Sequence, residues 1–106
     1  MNRSPLIRLF ILNAIADDYE DLPRILKEVS DLGGKSGVTI ASAEILPELI
    51  NLIETDLAKA YRLSPILPVE EIDGVPPPGE IEGCYFWITA KGSAELRSAE
   101  WPFGDV

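Results

Sequence analysis

The run from Ser42 to Leu63, SAEILPELINLIETDLAKAYRL, constrains this chain more than any other. Its apolar residues Ile45, Leu46, Leu49, Ile50, Leu52, Ile53 and Leu57 recur three and four apart, the spacing of one helix face. Glu44, Glu48, Asn51 and Thr55 read as the opposite face. A strand-like stretch, Lys59 to Leu63, follows at once, so the helix delivers the chain directly into a sheet. Pro47 is harmless if it lies in the first turn of this helix and a source of kinking if it lies deeper.

The segments before it read as two more helices. Ser4-Pro5 is a hydroxyl cap followed by proline at the first helical position. The helix that follows, through Leu6, Ile7, Leu9, Phe10, Ile11, Leu12, Ala14 and Ile15, is interrupted only by Arg8 and Asn13. A helix apolar nearly all round must be covered nearly all round. That predicts either a central position or a second copy on its far side, and a homodimer through this helix is expected. A second helix begins between Tyr19 and Asp21, with Leu22, Ile25, Leu26, Val29 and Leu32 inward and Arg24 and Lys27 outward. Gly33-Gly34 is expected to stop it. Val38-Thr39-Ile40 reads as a short strand, and Ser42 as the cap of the third helix.

After Leu63 comes a proline-rich acidic segment, SPILPVEEIDGVPPPGEIEG, which cannot be an uninterrupted central strand. Cys84 to Thr89 is the return strand, with Cys84, Phe86 and Ile88 on one face and Tyr85, Trp87 and Thr89 on the other. Ser93 to Ala99 reads as a last helical turn or two. These elements make one mainly helical α+β domain over 1–106: three helices plus a two- or three-stranded β-wing, the order of a winged helix-turn-helix. Its wing loop spans about 64–83. A tail over about 99–106 is loose unless Trp101 and Phe103 dock on the domain.

Composition narrows the chemistry. A net charge of −9, from 9 basic and 18 acidic residues, repels phosphate backbones and anionic membranes. No apolar run approaches the roughly 20 residues of a membrane span. Arg8 interrupts the N-terminal apolar stretch and no cleavage pattern follows, so a cytoplasmic protein is expected. The chain holds 0 histidines and 1 cysteine. The commonest general base and the commonest metal ligand are therefore lacking, and an intrachain disulfide is impossible. Cys84 has no neighbouring base in sequence, and Asp17-Asp18 and Glu70-Glu71 are paired acids without a calcium-loop spacing. No enzyme activity, cofactor or metal is expected.

Three segments together resemble PadR-type transcriptional regulators, a winged-helix family. ILPELINLIETDL is similar to the family's recognition helix, where a tyrosine-proline pair, a leucine and a leucine-glutamate pair precede a glycine-leucine turn. Pro47, Leu49, Leu52 and Leu57 match, whereas Leu46, Ile53 and Asp56 replace the tyrosine, glutamate and glycine. YFWITAKGSAEL is similar to the second wing strand, with Tyr85, Phe86, Thr89 and Gly92 in the matching places. Tyr19-Glu20 falls where the family often has glycine-tyrosine. The broader MarR-like group fits nearly as well. The resemblance covers about 6–96 and implies a dimeric regulator that reads DNA with the third helix and touches phosphate with the wing. This chain departs from that pattern at the reading positions: Glu44, Glu48, Asn51 and Thr55 on the helix, and Glu80, Glu82, Gly83 and Cys84 at the wing. The family's long helix after the wing has no counterpart in the run to Arg97.

Two functions compete. The first is a module that binds protein, with Glu44, Glu48, Asn51 and Thr55 meeting a basic surface. In that reading Tyr85 and Trp87 either anchor the partner from an open sheet face or pack against the helices. The second is a DNA-binding regulator that gathers Arg24, Lys27, Lys35, Lys59 and Arg62 on one side. The acidic surface favours the first.

Overall fold

The computed structural model describes residues 4–66 and 68–99. The expectation about the tail therefore lies, from residue 100 onward, outside the described residues. Helix α1 (Ser4–Ala14) leads to a two-residue strand β1 (Glu20–Asp21), then α2 (Leu22–Lys35) and α3 (Ser42–Glu54). Strands β2 (Ala58–Arg62) and β3 (Glu70–Ile72), a single 3-10 turn (Ile81–Gly83), β4 (Tyr85–Ile88) and α4 (Ala90–Ser98) follow. Three helices leading into a β-wing is the winged helix-turn-helix order.

The wing is more than a hairpin. The sheet order is β1-β4-β2-β3, and every pairing is antiparallel. The expected wing loop of about 64–83 thus folds back to add β3 on the outer edge of β2, then crosses to the other side of β2 to form β4. Pairings Ala60↔Ile72 and Ala60↔Phe86 put the inner face against the helices, while Tyr61↔Tyr85, Lys59↔Trp87 and Tyr61↔Glu71 share the outer face. Proline still keeps to the margins, since Pro65, Pro68 and Pro76 all lie outside the strands.

Helix α1 takes the central position. Ile7, Phe10, Ile11, Leu12 and Ile15 are buried, and the helix packs against α2, α3 and α4 within one chain. Each such side chain contributes about 1.5–3 kcal/mol relative to exposure. Among the described residues no polar or charged side chain is buried.

Several boundaries differ from expectation for local reasons. Helix α2 begins at Leu22 because Asp21 caps it, its carboxylate accepting from the Arg24 N–H at 3.0 Å. Gly33 and Gly34 do not stop it. Gly33 lies inside the last turn, where an added Cβ would come within 2.8 Å of the Val38 carbonyl oxygen and 2.9 Å of Ile40. That glycine permits a close approach, and the chain turns instead at Gly37, with φ of 77°. Val38 to Ile40 form no strand, because the Val38 N–H is spent on the Gly33 carbonyl at 2.8 Å. Ser42 is the first residue of α3 and not its cap; Ala41 holds that place, and the Glu44 carboxylate reaches back to accept from the Ala41 N–H at 2.9 Å. Pro47 therefore lies inside the helix, past the first turn. Helix α4 is longer than the turn or two expected, since Thr89 caps it early.

Candidate functional site

The surface that a winged helix offers a partner is built from α3 and the sheet. On α3 the outward stripe is not the one expected. Its solvent-exposed residues run through Ala43, Pro47 and Glu54. Glu44, Glu48 and Asn51 are half-buried on a flank, and only Thr55 of the four is exposed. Glu44 serves the helix cap, Glu48 accepts a hydrogen bond from the Ser4 hydroxyl, and the Thr55 hydroxyl donates to the Asn51 carbonyl at 2.8 Å. The cause lies on the other side of the helix. Ile45, Leu49, Leu52 and Ile53 form the buried centre, whereas Leu46 and Ile50 only rim it. Weighting all six alike turns the helix by a small angle, enough to exchange one polar flank for the true outer face. The outward stripe is close to neutral, with Glu54 its one charged residue.

Of the five cations named as nucleic-acid contacts, Arg24 and Lys27 line one groove, and four of the five are paired with carboxylates. Arg24 lies between Glu28 at 3.3 Å and Glu20 at 3.6 Å, and Lys27 pairs with Asp31 at 3.1 Å. Lys59 is held by Glu71, whose hydrogen bond and charge keep the ammonium above its usual range. Arg62 reaches Glu80 at 3.3 Å and Glu70 at 3.5 Å. Lys59 and Arg62 leave β2 on opposite faces of the sheet. Lys35 stands apart at the end of α2, beside a cleft lined by Asn13, Glu28 and Asp31.

Tyr85 and Trp87 occupy the outer sheet face, where they join two tyrosines that the sequence did not single out. Trp87 meets Tyr19 edge-on, with ring centroids 4.4 Å apart and planes at 69°. Tyr19 meets Tyr61 likewise at 5.1 Å and 79°, and Tyr61 is the cross-strand partner of Tyr85. Burial in this stack, with Glu71 alongside, raises the Tyr61 pKa. All four rings are half-buried. An open groove of ≈ 380 Å³ is lined by Tyr19, Tyr85, Pro23, Arg24 and Lys27, together with Glu20 and Asp21 of β1. Period-two alternation places Tyr61 with Tyr85 once the pairing is known; Tyr19 has no such signal, because it lies in the turn before β1.

The residues that carry the family resemblance at the end of the wing hold structure. The Thr89 hydroxyl donates to the Asp56 carbonyl at 2.7 Å and accepts from the Gly92 N–H at 2.9 Å. A Cβ on Gly92 would stand 2.1 Å from the Leu57 carbonyl oxygen. Asp56, where the family has glycine, adopts φ of 64°, the left-handed conformation that glycine takes at little cost. Cys84 is buried against the Glu80 carbonyl, and burial pushes its thiol pKa up, opposite to a reactive thiolate. Among the described residues no group of three or more acidic or cysteine ligands could hold a metal, and no helix is long and apolar enough to cross a membrane.

No protein-family profile matches the chain, and no curated protein matches it. A solved structure does: an X-ray structure of a PadR-like transcription factor from Bacteroides fragilis, 14% identical. The match covers 90% of this chain and 77% of that one, with a TM-score of 0.53. At that identity the likeness speaks for the fold: this chain has a PadR-like winged-helix fold.

Proposed function

We propose that the chain is a non-enzymatic winged-helix module that acts by binding protein and not by gripping duplex DNA. One observation carries this reading. Arg24, Lys27, Lys59 and Arg62 are each engaged by carboxylates, and the outward stripe of α3 offers no cation. Base contacts discriminate only after phosphate contacts have positioned a protein, and the electrostatic share of that grip comes from free Lys or Arg. The same module is proposed to pair with a second copy beside α1. There, a cleft lined by Pro5, Leu9, Leu12 and Leu57 together with Arg8 and Glu95 leaves Pro5 exposed and Leu9 half-buried.

The alternative is a DNA-binding regulator, and it is favoured by the fold shared with a transcription factor. Titration with mixed-sequence duplex at low salt separates the two readings. Protein binding without DNA predicts no saturable complex. A complex whose log affinity falls linearly with log salt would sink the proposal, because counterion release marks phosphate contact. Sedimentation of the same samples tests pairing, with twice the chain's 11.6 kDa as the expected mass.

A further inference from the structure

We infer that the outer face of the sheet is the docking surface, and that its occupant is an arginine-bearing segment of a partner protein. This rests on the protein-binding reading and assigns it a site and a chemistry. The face of a sheet turned away from its core is normally polar, yet here Tyr61, Tyr85 and Trp87 share that face and Tyr19 meets Tyr61 and Trp87 edge-on. Four half-buried rings clustered on the outer face of a sheet keep part of their surface open to a partner, and aromatic surface of this kind favours interaction.

Charge around the platform selects the occupant. Asp18 gives one carboxylate oxygen to the Tyr19 N–H at 2.7 Å, and Asp21 gives one to the Arg24 N–H at 3.0 Å. Neither has an ion-pair partner among the described residues, so each keeps its second oxygen for an incoming donor. On the far side Glu71 already neutralises Lys59. A guanidinium fits both halves of this surface, because it stacks on aromatic rings and donates in plane to carboxylates. Lysine satisfies the charge but not the stacking geometry. Single-stranded nucleic acid would also stack its bases on such a platform. It would then need a free cationic track for its phosphates, and the cations beside the platform, Arg24, Lys27 and Lys59, are each paired with a carboxylate.

Fluorescence anisotropy tests this with three labelled probes: a glycine-serine peptide carrying two arginines, the same peptide with lysines, and oligo-thymidine. The arginine peptide is expected to bind best and the oligonucleotide not at all. Trp87→Leu keeps apolar contact and removes a ring, and it should weaken the arginine peptide about tenfold, the size of one cation–π contact. Asp18→Asn with Asp21→Asn, which preserves the helix cap, should weaken it by a similar factor. Glu82→Gln, an exposed change in the 3-10 turn, is the control and should leave it unchanged. Thermal melts of each variant confirm folding.

If Trp87→Leu and the Asn pair bind like the parent, or if Glu82→Gln loses as much as they do, the site is wrong. The protein-binding reading would survive that result. Tight oligonucleotide binding, or absence of any peptide complex, also overturns the assignment. Saturable binding to duplex is the separate result that overturns the functional reading itself.

Discussion

At the scale of single residues, Asp56 shows how a departure from a family pattern is absorbed. Its φ of 64° closes the turn between α3 and β2, and the Leu57 N–H then bonds back to the Leu52 carbonyl at 2.9 Å. A left-handed residue other than glycine costs on the order of 1–2 kcal/mol, least for Asp and Asn. Asp56→Gly is therefore expected to leave stability within about 0.5 kcal/mol, as relief of strain offsets added chain entropy. Asp56→Val should cost about 1–2 kcal/mol or more, both read from urea midpoints. Glu20 gives a second residue-scale outcome. Burial first, then Glu28, raise its pKa, with Arg24 opposing. A carboxyl raised in the folded state binds protons more tightly there than in the unfolded chain. Its contribution is complete below the unfolded value near 4.5 and is lost as pH rises through the folded one. Glu20→Gln should thus gain on the parent between about pH 4 and pH 7, while Arg24 keeps Glu28. Urea midpoints of both proteins at the two pH values check the sign.

At the scale of elements, the junction of α3, β4 and α4 depends on Thr89. One hydroxyl caps α4 and holds the Asp56 turn, and the Thr89 N–H bonds the Leu57 carbonyl at 3.1 Å. Thr89→Val keeps the shape and removes both hydroxyl bonds. Loss of a cap costs about 0.5–2 kcal/mol, and the Asp56 carbonyl loses its donor, so a total of about 2 kcal/mol is expected in chemical denaturation. The threonine-to-glycine spacing was legible in the sequence as a resemblance, but its meaning was not. It reads as a wing motif, and it proves to be the place where a helix backs onto a carbonyl too closely for any Cβ. The three main helices were legible because apolar spacing of three and four is a long signal. Strands β1 and β3 were not. Two or three residues, EE or ED among acids, carry no periodicity, and only the tertiary pairing with Phe86 or Ala60 makes them strands. The outward face of α3 differs from the expected one because period alone cannot say which apolar residues sit at the centre of a stripe and which at its rim.

At the scale of the whole molecule, the question is how a chain of net charge −9 stays folded, and screening lengths answer it. The molecule measures 41 × 26 × 22 Å. At about 10 mM salt the Debye length is about 30 Å, so carboxylates on opposite sides repel one another across the fold. At about 150 mM it is about 8 Å, and that long-range term is largely removed. The contact pairs of Arg24, Lys27 and Arg62, at 3.1–3.5 Å, lie well inside either length and survive the change in part. Such exposed pairs are worth about 0–1 kcal/mol each, so their partial loss cannot outweigh relief of the net repulsion. Raising salt from about 10 to about 150 mM is therefore expected to raise the urea midpoint and the melting temperature together. The opposite sign would mean that the local pairs dominate the fold's electrostatics. In that case neutralisation of the cations by their carboxylate neighbours, the feature on which the proposed function rests, would be a device for stability before it is one for choosing partners.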